Sequence, residues 1–230
     1  MKTKFITSKH LKTAVLILFG TILTFTLNPD TTKAQEFDAG FDLYSTYVFR
    51  GVAFSGPSFQ PYVEFSTGNF SIGAWGSQGI DGYAGELGFQ EMDLYASYEF
   101  DFGLSIGFTD YYYPGTEYFD SDSHAFELNL GLDLGSFSLS GNYIFNEAEG
   151  AGSEGGDLYF EAGLSFGNAN LFLGAGDGWH STDGDFALVN VGLGVSRDIK
   201  VTESFSIPLN GAFILNPDTE QFYIVVGVSF

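Results

Sequence analysis

From Phe37 to the last residue, apolar and polar positions alternate at a period of two, the signature of β-strands with one apolar face. The final stretch shows it best. Phe222, Ile224, Val226, Val228 and Phe230 share one face, with Tyr223, Val225, Gly227 and Ser229 on the other. The first expected strand carries Phe37, Ala39, Phe41, Leu43, Tyr47 and Phe49 opposite Asp38, Asp42, Thr46 and Arg50. A second sets Phe59, Val63 and Phe65 against Gln60, Tyr62 and Glu64, and a third covers Phe70 to Ser77. The fourth places Met92, Leu94, Ala96, Tyr98 and Phe100 against Glu91, Asp93, Tyr95, Ser97 and Glu99. Further strands follow over 104–108, 126–134, 137–145, 158–166, 171–175, 187–195 and 205–213. In the tenth strand of the chain, Ala187, Val189, Val191, Leu193 and Val195 share the apolar face. About twelve strands result, an even number.

The apolar face recurs on nearly every strand, and the opposite face of Gly, Ser and acids is too charged for an ordinary core. A secreted β-sandwich would show polar outer faces and an apolar interior. A transmembrane antiparallel β-barrel inverts that arrangement, with lipid outside and a wet lumen inside. Link lengths agree. Turns such as Thr67-Gly68-Asn69, Asp101-Phe102-Gly103 and Leu134-Gly135-Ser136 are tight, with Arg197 to Glu203 an expected exception. Alternate links are long and acidic, including Gln78 to Gly88, Tyr111 to His124, Asn146 to Asp157 and Asp177 to Asp185. Short turns on one side and long loops on the other mark an outer-membrane barrel of Gram-negative type, with both termini periplasmic. A last strand ending on Phe230 resembles the closing strand of such barrels, which implies the barrel-assembly machinery as a partner beside outer-membrane lipid.

Residues 1–34 read as a cleaved signal peptide preceding a barrel over 35–230. Lys2, Lys4, Lys9 and Lys12 precede an apolar run from Ala14 to Leu27, and Thr32-Lys33-Ala34 forms the cleavage site. Cleavage leaves Arg50, Arg197 and Lys200 against 28 carboxylates, a formal charge of −25. That balance excludes nucleic acid as a partner, because phosphate neutralisation needs Lys and Arg.

Tyr47-Val48-Phe49-Arg50-Gly51, Gln60-Pro61, Gly73-Ala74-Trp75-Gly76-Ser77, Glu91-Met92-Asp93-Leu94-Tyr95-Ala96-Ser97-Tyr98 and Tyr112-Tyr113-Pro114-Gly115 stand in that order. Together they resemble the successive motifs of the TorF-type porin family across the first half of the chain. The resemblance implies an outer-membrane barrel and names no solute.

The candidate chemistry is that of a pore. Asp42, Arg50, Glu64, Glu91, Asp93, Glu99 and Glu127 form the expected pore lining, with acids crowding the first half of the chain. Small inward residues follow later, among them Ser138, Ser140, Gly163, Gly192 and Gly194. A narrow acidic lumen favours passive diffusion of small solutes or cations. Arg50 is the lone base in this wall, at the level of Glu91, Asp93 and Glu127. It either sets a transverse field across a constriction or forms a structural ion pair. A plugged barrel acting in adhesion or binding through its acidic loops is the alternative. A hydrolase is a distant third, since His124 beside Ser121 and Ser123, or His180 beside Ser181 and Asp183, lacks a triad's spatial logic. The acids of 147–157 and 177–185 lack the spacing of a calcium loop and read as solvated. No cofactor or resident metal is expected, and no enzymatic activity.

Overall fold

Each run of alternating residues forms a strand, because only paired strands satisfy the backbone while presenting one apolar face. The computed structural model describes residues 35–81, 88–203 and 205–230. The expected signal peptide and residues 82–87 of one long link lie outside them. Residues Gln35–Phe230 form one unit. Its strands are β1 (Gln35–Tyr44), β2 (Tyr47–Phe49), β3 (Val52–Ser55), β4 (Ser58–Thr67), β5 (Phe70–Gly79), β6 (Gln90–Glu99) and β7 (Leu104–Tyr112). They continue as β8 (His124–Asp133), β9 (Phe137–Ile144), β10 (Leu158–Phe166), β11 (Ala169–Gly176), β12 (Ala187–Lys200), β13 (Ser206–Asn216) and β14 (Gln221–Ser229).

β1 and β4 to β14 close into an antiparallel barrel of twelve strands, each hydrogen-bonded to its neighbours in sequence order. Closure decides against a sandwich, which would leave edges on two sheets. The seam lies between β1 and β14, in the register Asp42↔Ser229. Phe41 and Phe230 exchange backbone N–H···O bonds of 3.1 and 3.0 Å, and their rings stack with centroids 5.0 Å apart. Phe230 is therefore part of the closure.

The expected outward set faces outward, including Leu94, Leu130, Leu139, Leu164, Leu173, Phe213 and Ile224. These side chains form the surface that a bilayer core demands, while the ladder satisfies the backbone internally. Large inward rings fit because glycine faces them across the strand pair. A Cβ at Gly192 would lie 2.1 Å from the Phe172 ring, so only glycine lets that ring lie flat on the wall.

Three details differ from the sequence pattern. The first wall strand stops at Tyr44, because Ser45 caps the seam: its N–H donates to Val226 O at 2.8 Å and its Oγ accepts from Val226 N at 3.0 Å. Beyond that point the chain leaves the wall, and β2 and β3 pair only with each other. β12 carries a bulge opposite Gly174/Ala175. Upstream of it the phase flips, so Leu188 is 40% exposed and Val189 is 0% exposed, the reverse of simple alternation. β12 also runs on to Lys200, pairing with Ser206, so the link after it closes tightly with Val201 N donating to Phe205 O. The expected long exception among the short turns is itself a strand end.

Candidate functional site: a hairpin folded into the lumen

The hairpin of β2 and β3 turns on two residues, Arg50 and Gly51, between the paired Phe49 and Val52. Their φ values are 49° and 85°, the mirror-image geometry that matches strand twist in two-residue hairpins. For Arg50 this conformation costs on the order of 1–3 kcal/mol, so its surroundings must hold it there. Gly51 has no freedom to be another residue. A Cβ there would sit 1.9 Å from Val189 O, and the Gly51 carbonyl accepts from Asn216 Nδ2 at 3.1 Å. The β12 bulge thus turns Val189 inward onto the hairpin tip.

The tip is held by charge. Arg50 Nη1 donates to Glu127 Oε2 at 2.6 Å and Nη2 to Oε1 at 2.9 Å, a bidentate pair. The guanidinium lies 4.5 Å from the Tyr159 ring centroid and 4.6 Å from that of Phe49. Glu127 is 0% exposed and also accepts from Tyr111 OH at 2.9 Å and Asn129 Nδ2 at 2.6 Å. Asn129 continues the network to Thr109 and Asn142. The hairpin root packs as well: the Tyr47 ring lies 5.5 Å from Trp75 and 6.1 Å from Phe89. From root to tip, the hairpin meets β5, β7, β8, β10, β12 and β13 across the lumen.

His180, in the loop before β12, flanks this pair. Its Nε2 accepts from Trp179 Nε1 at 2.9 Å and lies 3.5 Å from Arg50 Nη1. Burial, and then the Arg50 charge, push the imidazole down to about 2, so it stays neutral with its proton on Nδ1. A cavity of about 440 Å³ opens above, lined by Phe49, Phe54, Phe89, Tyr113, Glu149 and Trp179 among others.

The seven expected lining residues fall into three groups. Arg50 and Glu127 meet as an ion pair, with Arg50 on the hairpin rather than in the wall. Glu91 and Asp93, neighbours on the inner face of β6, are buried near the hairpin root. Asp42, Glu64 and Glu99 face the half of the lumen toward the short turns. There Glu64 accepts from Tyr95 OH at 3.0 Å, and Glu99 lies exposed near the rim. The residues missed by pattern reading are Gly51, Val189 and Asn216, which seat the hairpin tip.

The two candidate Ser–His pairs have other partners. His124 bonds Asp110 Oδ1 at 2.8 Å and Tyr118 O at 2.7 Å, using both ring nitrogens. Among the described residues, no serine hydroxyl is a partner of His124 or His180. The acids Glu154, Asp157, Asp177, Asp183 and Asp185 line an open cavity of about 610 Å³ between two loops. Burial raises the Asp157 pKa, while a hydrogen bond from Ser153 Oγ opposes that shift.

Residues 29–214 match the family described as "Bacterial protein of unknown function (Gcw_chp)". The chain belongs to the Gcw_chp family. No curated protein sequence matches it. Similar solved structures include an engineered Rhodopseudomonas blastica porin with three substitutions, at 15% identity and a TM-score of 0.40 over 75% of this chain and 55% of that one. A second Rh. blastica porin variant gives 14% identity and a TM-score of 0.41 over the same shares. This Gcw_chp chain thus covers 55% of the length of the porins it matches.

Proposed function

We propose that this Gcw_chp protein is a narrow outer-membrane channel for passive, cation-preferring diffusion, with the β2–β3 hairpin as its constriction. The observation that carries this reading is the twelve-strand closed barrel with lipid-type side chains outside and carboxylates with small residues inside. Long loops on one side and tight turns on the other support an orientation with the loops outside the cell and both termini in the periplasm. The resemblance to TorF-type porins points the same way. Asp38, Asp42 and Glu64 give the short-turn half of the lumen a negative field, and rings of acids select cations. In that half lies a cavity of about 250 Å³ lined by Tyr44, Asn170, Phe172, Gly194, Asn210 and Val225 among others.

A second reading, a plugged barrel serving binding or adhesion, is favoured by one observation: the hairpin reaches from one wall of the lumen to the other. Conductance separates the two. Protein reconstituted in a planar bilayer should show small discrete steps, with a reversal potential of cationic sign in a salt gradient. The preference should grow as salt falls, since the Debye length lengthens from about 10 Å at 0.1 M to about 30 Å at 0.01 M. Anionic reversal contradicts the acidic-lumen reading, and complete silence favours the plug.

A further inference from the structure

The Arg50–Glu127 pair leaves two other buried acids without a counter-charge. Glu91 is 4% exposed and Asp93 8% exposed, and Ser77, directly across the β5–β6 ladder from Glu91, is 4% exposed. All three point inward from adjacent positions of one sheet face. Neither oxygen of Glu91, nor Asp93 Oδ1, nor Ser77 Oγ has a hydrogen-bond partner among the described residues. The hydroxyls of Tyr47 and Tyr113 approach the Glu91 carboxyl as weak donors, short of well-formed hydrogen bonds. Four unsatisfied buried oxygens on neighbouring residues are rare, because each buried polar group left unpaired costs about 1–3 kcal/mol, and charged ones more.

Among the described residues, no nearby base answers these acids. Arg50 is taken by Glu127, while Arg197 and Lys200 lie at the short-turn end of β12, where Lys200 pairs with Glu203. Ion chemistry fits these oxygens. Two carboxylates and a hydroxyl are hard oxygen donors, and one divalent cation cancels both charges. We propose that Ser77, Glu91 and Asp93 form a binding site for a hard divalent cation, Ca²⁺ rather than Mg²⁺, covered by Tyr47 of the hairpin. Ca²⁺ is preferred because it accepts irregular oxygen shells and sheds water more readily than Mg²⁺, which holds near-ideal octahedral geometry. Among the described residues no three acidic or imidazole side chains converge on a metal position, so an ion held by the two carboxylates would take its remaining oxygens from Ser77, the two phenols and water. Because Tyr47 belongs to β2, a bound ion also ties the hairpin root to the wall.

Tb³⁺ luminescence tests the site, since Trp75 pairs with Asp93 across the ladder and stands where it can sensitise a bound lanthanide. The full barrel, folded in detergent micelles and stripped with chelator, is titrated with TbCl₃ and then with CaCl₂ or MgCl₂. The expected result is saturable emission at one ion per chain, displaced by Ca²⁺ at concentrations at least about tenfold below those needed for Mg²⁺, a preference of about 1.4 kcal/mol. Trp75→Phe should lower the emission, leaving the weaker part sensitised by the Tyr47 and Tyr113 phenols, and should keep Ca²⁺ binding measured by calorimetry. Glu91→Gln with Asp93→Asn should lose both signals, and Ser77→Ala, a smaller change, should weaken Ca²⁺ binding several-fold. Heat-shifted gel mobility checks that each variant folds. The loop variant Asp177→Asn/Asp183→Asn/Asp185→Asn should bind as the native chain does. Binding that survives the Glu91/Asp93 double variant but fails in the loop variant overturns the site. So does a native barrel that binds no Ca²⁺, whose buried pair must then be held by protons.

Discussion

Glu127→Ala should destabilise the barrel with its hairpin seated by about 3–5 kcal/mol, because it strands the Arg50 guanidinium in a buried position without its counter-charge. The same change removes the acceptor for Tyr111 OH and Asn129 Nδ2. It also deletes the contact that offsets the left-handed backbone at Arg50. The hairpin has one escape, which is to swing out of the lumen and hydrate Arg50. The expected readouts are therefore a lower urea midpoint in liposomes and a larger channel conductance. Glu127→Gln keeps hydrogen-bonding capacity and should cost less. Arg50→Ala added to Glu127→Ala should recover part of the loss, since the second change removes the charge left unpaired by the first. Additive losses in that cycle would show that the two side chains do not act together.

Leu130→Arg is the second large effect. Leu130 sits in the middle of β8 on the outer face, 53% exposed, between Ile106 and Gly141 in the ladder. A guanidinium there must enter hydrocarbon, at about 2–4 kcal/mol near the bilayer midplane. Ser140→Arg, on the next strand, points into the lumen and faces Glu161 directly across the ladder. It should cost far less, because water and a carboxylate receive it. Urea unfolding in liposomes compares the two, and equal losses would mean that the faces are wrongly assigned.

The wall was legible in the sequence because lipid imposes one rule on every strand, apolar outward at a period of two. The even strand count, the long and short links and the outward positions of Leu94, Leu164 and Ile224 all follow from that rule. The hairpin escaped it. Tyr47 and Phe49 continue the spacing of the first wall strand, and the turn carries Arg-Gly where Asn-Gly would announce a two-residue hairpin. Only the fold shows that Arg50 holds a left-handed conformation, sustained by Glu127 from a distant strand. Pattern reading placed Arg50 and Glu127 at one level, yet could not choose between a field across water and a closed ion pair. The β12 bulge was equally hidden. Val189 alternates correctly with Val191, and the extra residue that turns it inward toward the hairpin tip has no local signature.

The hairpin's position in the lumen is tested most directly by removing it. Replacing residues 46–56 with a short Gly-Ser link leaves Tyr44 and Ser58 joined beside each other in the ladder and the wall pairing intact. Single-channel recording of this variant beside the native protein, in the same lipid and salt, gives the answer. A hairpin that constricts the lumen predicts a several-fold larger unit conductance for the shortened chain, with cation preference retained through Asp42 and Glu64. Equal conductance in the two proteins would place the hairpin outside the passage and contradict the account.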